Sequence, residues 1–341
     1  MINQIYRLTK PGLIEVCCRQ TELDGEKIIL RPLLMSICKA DQRYYLGQRS
    51  REALEKKLPM ALIHECVARV VYDKSGVYKP GDIVVPVPNT PTEKDDVIAE
   101  NYLPSSKFCS SGYDGFLRDY IDISPERVVR VPQGIDLRVA AFSELVSVAV
   151  HAATRFGAIA HSRKNSIGVW GDGNVGFITA LVLKTMYPQA KICVFGTVYE
   201  KLNYFSFADE TYHVDNVPQN LKIDHAFECV GGQGSGYAIN QIIDHINPQG
   251  AIGLMGVSEA PVGINTRMVL ELGLTLFGSS RSGKADFEKT MALMAQSPAF
   301  SACLEKLVGD CVEVRTISDI HLAFSKDISR SFGKTIIKWE K

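Results

Sequence analysis

The sequence lacks an excess of charge of either sign. Lysine and arginine together number 38, and so do aspartate and glutamate. Proteins that bind nucleic acid or anionic membranes through their electrostatic field carry a basic patch and usually a basic excess. The charge balance therefore disfavours nucleic acid and membrane surfaces as partners.

Long apolar runs and a cysteine framework are missing as well. The most apolar stretch, 167–183, is interrupted by Asp172, Asn174 and several glycines, so its composition is not that of a membrane-spanning helix. The nine cysteines are odd in number and have no framework spacing. The opening segment MINQIYRLTK has neither the basic start nor the apolar core of a signal peptide. We therefore expect a cytoplasmic protein with reduced thiols.

Length and pattern predict an α/β protein of two domains. The 341 residues are roughly twice the length of a usual domain. Short β-type runs separated by turn signals such as Lys79-Pro80-Gly81-Asp82 predict a β-rich domain over 1–140. Apolar strands that alternate with helical patterns predict a doubly wound parallel sheet over 141–282. Residues 283–341 are too few for a third domain and are expected to return to the first.

A glycine-rich turn, GDGNVG over 171–176, lies between an apolar strand and a helix. In this context the first glycine allows the tight turn, the second lets the backbone approach a pyrophosphate, and the third permits close helix packing. The N–H groups of the helix N-terminus then bind the anion. The motif predicts a dinucleotide site of the Rossmann type, with the cofactor-binding residues Gly171, Gly173, Asn174, Val175 and Gly176.

The end of the next strand indicates which dinucleotide binds. Enzymes that use NAD place an acid there for the ribose hydroxyl, but this chain has Gly196. A carboxylate would repel a 2′-phosphate, whereas Gly196 leaves room, and Thr197, Tyr199 and Lys201 offer hydrogen bonds or charge. This predicts NADPH, with Gly196, Thr197 and Lys201 in contact with it. The alternative is a shifted register in which Glu200 holds the ribose of NADH.

A second group of residues has the chemistry of a metal site. Cys38, Asp41, His64, Glu65 and Glu144 combine soft and hard donors, which suits Zn²⁺ with one position left open for water or substrate. The spacing is too long to be diagnostic, because an isolated cysteine or histidine more often belongs to a packed core. From the residues alone, a zinc site and a structural role both remain open.

Four motifs in this order resemble the zinc-dependent medium-chain dehydrogenase/reductase family over essentially the whole chain. They are Cys-x-x-Asp, His-Glu, a Glu before a helix, and GxGxxG; further matches are Lys79–Asp82, Asp114–Phe116 and Asp224–Gly231. The resemblance implies a GroES-like catalytic domain, a Rossmann domain and an active-site zinc in the cleft between them.

The resemblance also implies residue roles. Cys38 and His64 match zinc ligands, and Glu144 stands at the place of the third ligand, as in the polyol dehydrogenases of the family. Glu65 is implied as a fourth ligand or as the partner of a zinc-bound water. Asp41 is implied as a hydrogen-bond partner of His64. The catalytic group is thus expected to comprise Cys38, His64, Glu65 and Asp41.

Three further positions bear on cofactor, metal and proton. Lys39 falls where a basic residue can meet the cofactor pyrophosphate. The segment that holds four cysteines for a second zinc in many family members, here 86–115, contains only Cys109, so one catalytic zinc and no structural zinc is expected. Ala40 replaces the usual Ser or Thr that relays a proton, so the proton is expected to travel by water, Glu65 or a substrate hydroxyl.

Within the family, several segments are similar to members that use NADPH to reduce D-ribulose 5-phosphate to D-ribitol 5-phosphate. In those members the product is the precursor of CDP-ribitol for teichoic acid or capsule. These segments are 35–38, 41–45, 87–101, 170–174 and 278–282. The implied substrate is a sugar phosphate, and cationic side chains must bind its phosphate. The candidates are Arg43, Arg49, Arg51, Arg281 and Lys284, of which we select Arg43 and Arg281.

Other functions stay open at this stage. A zinc-dependent polyol dehydrogenase acting on sorbitol or xylitol would use the same donor set. In a non-catalytic NADPH-binding protein the donor set would have drifted to structural use, and the presence of Cys38, His64, Glu65 and Glu144 together argues against that alternative. A zinc-free quinone reductase is disfavoured by the donor set. The family further implies a homodimer or tetramer, and the implied product a cytidylyltransferase as pathway partner.

Overall fold

The computed structural model describes residues 1–23 and 26–341. The chain forms two compact units, one of Met1–Ser147 with Ser282–Lys341 and one of Val148–Arg281. None of the helices among the described residues is both long and apolar enough to cross a membrane.

The first unit is rich in strands. Its elements before the crossing to the second unit are β1 (Ile2–Lys10), β2 (Leu13–Gln20), β3 (Ile28–Ser36), α1 (Lys39–Tyr45), α2 (Arg51–Lys57), β4 (Met60–Ala61), β5 (Glu65–Tyr72), β6 (Ile83–Pro86), β7 (Asn89–Thr90), β8 (Lys107–Phe108), β9 (Ile121–Ile123), β10 (Val128–Arg130), α3 (Leu137–Ala140) and α4 (Ser143–Ile159), the last of which continues into the second unit.

The second unit alternates strands and helices. Its elements after α4 are β11 (Ser166–Trp170), α5 (Asn174–Met186), β12 (Lys191–Gly196), α6 (Tyr199–Leu202), β13 (Glu210–His213), β14 (His225–Glu228), α7 (Gly234–His245), β15 (Ala251–Leu254), α8 (Thr266–Glu271) and β16 (Thr275–Gly278). The chain then supplies the first unit with α9 (Lys284–Gln296), α10 (Pro298–Glu305), β17 (Val308–Val314), α11 (Ile317–Ser329) and β18 (Lys334–Trp339).

The main sheet of the first unit joins both ends of the sequence. Its strand order is β10-β6-β5-β3-β18-β17, with β9 also paired to β3. β18 runs antiparallel to β3, with Ile336 opposite Ser36. β3 runs antiparallel to β5, with Ser36 opposite Glu65. Residues near the C-terminus therefore lie two strands from the His64-Glu65 pair.

The second unit is built on a parallel six-stranded sheet with the order β13-β12-β11-β14-β15-β16. Counted from its first strand this order is 3-2-1-4-5-6, as in doubly wound dinucleotide-binding folds. β11 and β12 are almost wholly buried apolar runs, which is typical of strands covered on both faces. The predicted α/β class, with a β-rich domain and a Rossmann sheet, is confirmed; the predicted bounds of the domains stay a prediction.

Candidate active site

Cys38 lies at the N-terminus of α1. Its backbone is extended, with φ −101° and ψ 155°, and the helix begins at the next residue. Its backbone N–H donates to Oδ2 of Asp41 over 3.1 Å. The carboxylate at the first turn therefore fixes the backbone of Cys38, and the thiol stands at the end of β3 where the chain turns into the helix.

Asp41 ties this turn to two other segments. It is fully buried, and its Oδ1 accepts from the backbone N–H of Ile63 over 3.0 Å and from the Ser110 hydroxyl over 2.6 Å. Burial acts to raise the pKa of Asp41, but the neighbouring His64 and these hydrogen bonds overcome it and hold that pKa below its ordinary value. Asp41 is thus a buried, ionised carboxylate that connects α1 to the segments of Ile63 and Ser110.

His64 lies next to the Asp41 carboxylate. Its Nδ1 lies 3.5 Å from Oδ1 of Asp41, and its Nε2 lies 3.9 Å from Oε2 of Glu144. The ring is 5% exposed and packs against Phe108, with centroids 5.4 Å apart. Burial opposes a charge on the ring, yet Asp41 raises the pKa of His64 well above its ordinary value. The arrangement leaves Nε2 as the nitrogen that faces Glu144.

Glu144 enters from the first turn of α4. It is 5% exposed. Burial raises the pKa of Glu144 to about 7, with His64 acting to lower it and Glu65 acting to raise it further. A carboxylate in this setting is stabilised by a nearby cation, because neither burial nor a second carboxylate favours its charge.

Glu65 is held by a lysine that the sequence did not single out. Lys334 donates from Nζ to Oε1 of Glu65 over 2.7 Å, and both side chains are buried. Oε2 of Glu65 is buried and has no hydrogen-bond partner among the described residues. One carboxylate oxygen is therefore neutralised and the other is available.

The donor atoms fit a zinc ion. One ligand atom each from Cys38, His64 and Glu65 lie within 4.8 Å of one another, and Glu144 lies beside His64. Sulfur, imidazole nitrogen and carboxylate oxygen are the ligands Zn²⁺ takes in catalytic sites. The unpartnered Oε2 of Glu65 is the kind of buried polar atom that a cation would satisfy. The residues predicted from the sequence for this site are brought together in one unit.

The glycine turn of the second unit has the expected geometry. Gly171 has φ +129°, and a Cβ there would lie 2.8 Å from the carbonyl oxygen of Cys229. A Cβ on Gly176 would lie 1.9 Å from the Gly171 oxygen, so helix α5 can pack this closely only on glycine. Gly173 faces open space and precedes Asn174, the first residue of α5. The turn thus offers an unobstructed helix N-terminus.

Gly196 has a neighbour that the sequence interpretation did not include. A Cβ there would lie 2.7 Å from Cβ of Asp172, so the space beside Gly196 is filled by that side chain. Oδ2 of Asp172 accepts from the backbone N–H groups of Thr197 and Val198 over 2.7 and 2.9 Å. The Asp172 side chain thus occupies the space beside Gly196 and fixes the backbone of the turn that follows β12.

The basic candidates have varied surroundings. The Lys39 side chain is exposed and its Nζ donates to Gln42 over 3.0 Å, and Lys201 is half-buried. Arg43 is half-buried on α1, whereas Arg281 has a left-handed backbone with φ +57°. The remaining candidates are engaged close by, Arg49 over the Tyr44 ring, Arg51 with Glu55 and Lys284 with Glu288. The substrate-phosphate role of Arg43 and Arg281 stays a prediction.

Sequence reasoning missed Lys334 and Ser110. Lys334 begins the apolar run KTIIKW, where strand alternation puts it on the face of Ile336, so a lysine in phase with a buried residue was the available signal. Ser110 has φ +61° in an irregular segment and gives no such signal. Lys334 contacts Glu65, 269 residues away in the sequence, and Ser110 contacts Asp41, 69 residues away.

Comparison with known proteins places this site in context. No family model matches the chain. The chain is 52% identical over 340 residues to the ribulose-5-phosphate reductase of Bacillus spizizenii, with 100% of each protein covered. A crystal structure of S. aureus TarJ in complex with NADPH matches with a TM-score of 0.90 and 47% identity over 100% of both chains. L-idonate 5-dehydrogenase from Escherichia coli, at 19% identity over 99% of this chain and 98% of its own, has the same fold with a TM-score of 0.87.

Proposed function

Because this chain belongs to the ribulose-5-phosphate reductase family, we propose that it reduces D-ribulose 5-phosphate to D-ribitol 5-phosphate with NADPH. The observation that carries the proposal is the full-length identity of 52% to a ribulose-5-phosphate reductase. The donor group of half-buried Cys38 with buried His64 and Glu65, together with the glycine turn at 171–176, supplies the chemistry that such a reaction needs.

The proposed metal ligands are Cys38, His64 and Glu144, with Glu65 next to them. When bound, a zinc ion supplies Lewis-acid polarisation of the substrate carbonyl and stabilises developing negative charge. Asp41 orients this set, because it faces Nδ1 of His64 and accepts from the Cys38 N–H. His64, Glu65 and Glu144 are buried, which limits the access of water to these donors.

The proposed cofactor residues lie in the second unit, apart from Lys39. The N–H groups that begin α5 would bind the pyrophosphate at Gly173, Asn174 and Val175. Thr197 and Lys201 would bind the 2′-phosphate beside the turn that Asp172 holds. When bound, NADPH supplies the hydride for C2 of the substrate.

The remaining steps concern the proton and the phosphate. Ala40 has no hydroxyl, so a relay through the residue two after Cys38 is excluded in this chain. The unpartnered Oε2 of Glu65 is the protein group best placed to exchange a proton with water at the site. We assign the substrate phosphate to Arg43 and Arg281, whose guanidinium groups suit bidentate binding.

The same proposal sets the biological context. The product would feed CDP-ribitol synthesis by a cytidylyltransferase, and thus ribitol teichoic acid or capsule, and the enzyme would work in the cytoplasm as a homodimer or tetramer. One zinc ion per chain, with no structural zinc, is part of the proposal.

The test is a panel of substrates whose turnover is measured by the change in absorbance of the reduced nicotinamide cofactor. D-ribulose 5-phosphate and D-ribulose are each tested with NADPH and with NADH as the cofactor, and sorbitol is tested in the oxidative direction. The proposal expects turnover that needs both the sugar phosphate and NADPH. Turnover of neutral sugars with NADH would assign the chain to the polyol dehydrogenases instead, and NADPH binding without any turnover would indicate a non-catalytic protein.

A further inference from the structure

Glu228 is a fully buried carboxylate in the second unit. It is 0% exposed and is the last residue of β14. Its Oε1 accepts from the backbone N–H groups of Val230 and Gly231 over 2.8 and 2.9 Å, and its Oε2 accepts from that of Gly256 over 3.2 Å. A buried polar group is costly unless it is hydrogen-bonded, so the carboxylate and these three N–H groups depend on one another.

These hydrogen bonds join two segments of chain. The segment 229–233 follows β14 and the segment 255–257 follows β15, and the Glu228 side chain is bonded to both. The segments are also bonded to each other, because the backbone N–H of Gly232 donates to the Val257 carbonyl over 2.9 Å. The buried carboxylate therefore lies at the junction of the two segments.

Each segment has a glycine that donates to the carboxylate. A Cβ on Gly256 would lie 2.6 Å from Oε2 of Glu228 and still closer to Oε1, so position 256 takes no side chain while the carboxylate stays in place. Gly231 has a left-handed backbone with φ +72°, which favours glycine. The contact between the carboxylate and the two segments thus depends on the absence of a side chain at Gly256.

Glu228 stands where the strand order of the parallel sheet reverses. The reversal falls between β11 and β14, and Glu228 is paired with Trp170, the last residue of β11. Open α/β sheets bind ligands at this point, in the crevice outside the carboxyl ends of the strands. A Cβ on Gly171 would lie 2.8 Å from the Cys229 carbonyl oxygen. The segment that Glu228 holds is therefore packed against the glycine turn.

The position in the sheet indicates which part of a dinucleotide lies beside this segment. A dinucleotide crosses the crevice with one nucleotide on each half of the sheet. The proposed 2′-phosphate residues Thr197 and Lys201 follow β12, which assigns the adenine nucleotide to the half made of β11, β12 and β13. The half made of β14, β15 and β16 is left for the nicotinamide nucleotide, and Glu228 holds the segments after its first two strands.

We propose that Glu228 is a positioning residue that holds the segments 229–233 and 255–257 in the shape that binds the nicotinamide half of NADPH. The inference rests on the proposed function, because it presumes NADPH as the cofactor. Without both acceptor oxygens, the two segments are no longer held together. Binding of the nicotinamide half is then weakened, whereas the adenine half keeps its contacts on the other side of the crevice.

The experiment compares the binding of two ligands to the full-length protein by isothermal titration calorimetry. They are NADPH and adenosine 2′,5′-bisphosphate, which has the adenine and the 2′-phosphate but no nicotinamide. The variants are Glu228→Gln and Gly256→Ala. Glu271→Gln is the matched control, because Glu271 forms an exposed ion pair with Arg267 in the same unit. Circular dichroism checks the folding of each variant, and kcat/KM is measured with D-ribulose 5-phosphate.

In Glu228→Gln, one acceptor oxygen is replaced by an NH₂ group, which cannot accept from a backbone N–H. A buried donor is left without a partner, so we expect the Kd of NADPH to rise by about tenfold and kcat/KM to fall. The Kd of adenosine 2′,5′-bisphosphate should be unchanged. Gly256→Ala should have the same effect, because its Cβ displaces the carboxylate. Glu271→Gln should change neither Kd.

Folded Glu228→Gln that binds NADPH with the wild-type Kd overturns the inference. An equal loss of affinity for both ligands also overturns it, because the variant would then disturb the second unit as a whole. If Glu228→Gln does not fold, the same comparison on Gly256→Ala decides. Wild-type protein that binds no NADPH overturns the inference together with the proposed function. Wild-type protein that binds NADPH but does not reduce D-ribulose 5-phosphate overturns the proposed reaction alone, since the role of Glu228 is decided by binding.

Discussion

The hydroxyl of Ser110 donates a hydrogen bond of 2.6 Å to Oδ1 of Asp41, a residue 69 positions earlier in the chain. Through Asp41, this bond reaches both Cys38 and His64. The segment that carries Ser110 is therefore part of the support of the donor group, although it supplies no ligand to it.

Ser110→Ala removes this support while leaving the proposed ligands in place. We expect zinc affinity to fall by about tenfold, because a group that orients a ligand is lost. Titration of zinc into the metal-free protein with a competing chelator measures the change. Ser105→Ala is the matched control, since its hydroxyl bonds to Glu93 at an exposed position. If the two variants bind zinc with equal affinity, Ser110 does not support the metal ligands.

Glu144→Gln tests the third ligand. The amide keeps the size of the side chain but loses the charge, so we expect zinc content after dialysis and kcat/KM to fall by at least about tenfold. Glu55→Gln, at an exposed ion pair with Arg51, should change neither quantity. Unchanged zinc content and turnover in Glu144→Gln would contradict the ligand assignment.

Lys201→Ala tests the recognition of the 2′-phosphate. Loss of a charge-assisted hydrogen bond should raise the KM for NADPH by about tenfold and leave the weaker use of NADH unchanged. Lys222→Ala is a control in the same unit, because Lys222 bonds to the Asp244 carbonyl at an exposed site. A parallel rise for both cofactors would mean that Lys201 does not read the phosphate.

His225 gives the second unit a dependence of stability on pH. Burial lowers the pKa of His225 to about 4, against an ordinary value of 6.5. In the neutral ring, one nitrogen donates to the Arg163 carbonyl and the other accepts from the Ala251 N–H. Protonation would set two N–H groups against each other at Ala251.

Because the pKa of His225 is lowered in the folded protein, the free energy of unfolding falls as the pH falls. Between pH 6.5 and about 4 the unfolded chain binds a proton that the folded chain does not, so stability present above 6.5 is lost as pH falls. The loss should be about 3 kcal/mol over this window. Denaturant unfolding followed across the window should show it, and His225→Gln should flatten the slope. A slope as steep in the variant would assign the effect to other groups.

The parts that sequence could predict are those written in contiguous motifs. Gly171, Gly173 and Gly176 have separate predicted roles that are readable from their spacing, and the structure shows the steric requirement at Gly171 and Gly176. Cys38 and Asp41 share one helical turn, so their proximity was also predictable. The resemblance to a known family then joined these local motifs to the distant Glu144.

The parts that sequence could not predict depend on register and on long-range contacts. Lys334 reaches Glu65 only because β18 pairs with β3, and strand pairing over such a distance is not encoded in either segment alone. Gly196 was interpreted as space for a phosphate, whereas Asp172 fills the space beside it. That contact depends on the relative positions of two loops in three dimensions.

We propose that Cys38, His64 and Glu144 hold the zinc ion with which NADPH reduces D-ribulose 5-phosphate. The most direct measurement is turnover against zinc content, taken as the metal is removed by chelator and then restored. The account predicts activity that rises in proportion to bound zinc and saturates at one ion per chain. Full turnover of D-ribulose 5-phosphate by protein freed of zinc would contradict it.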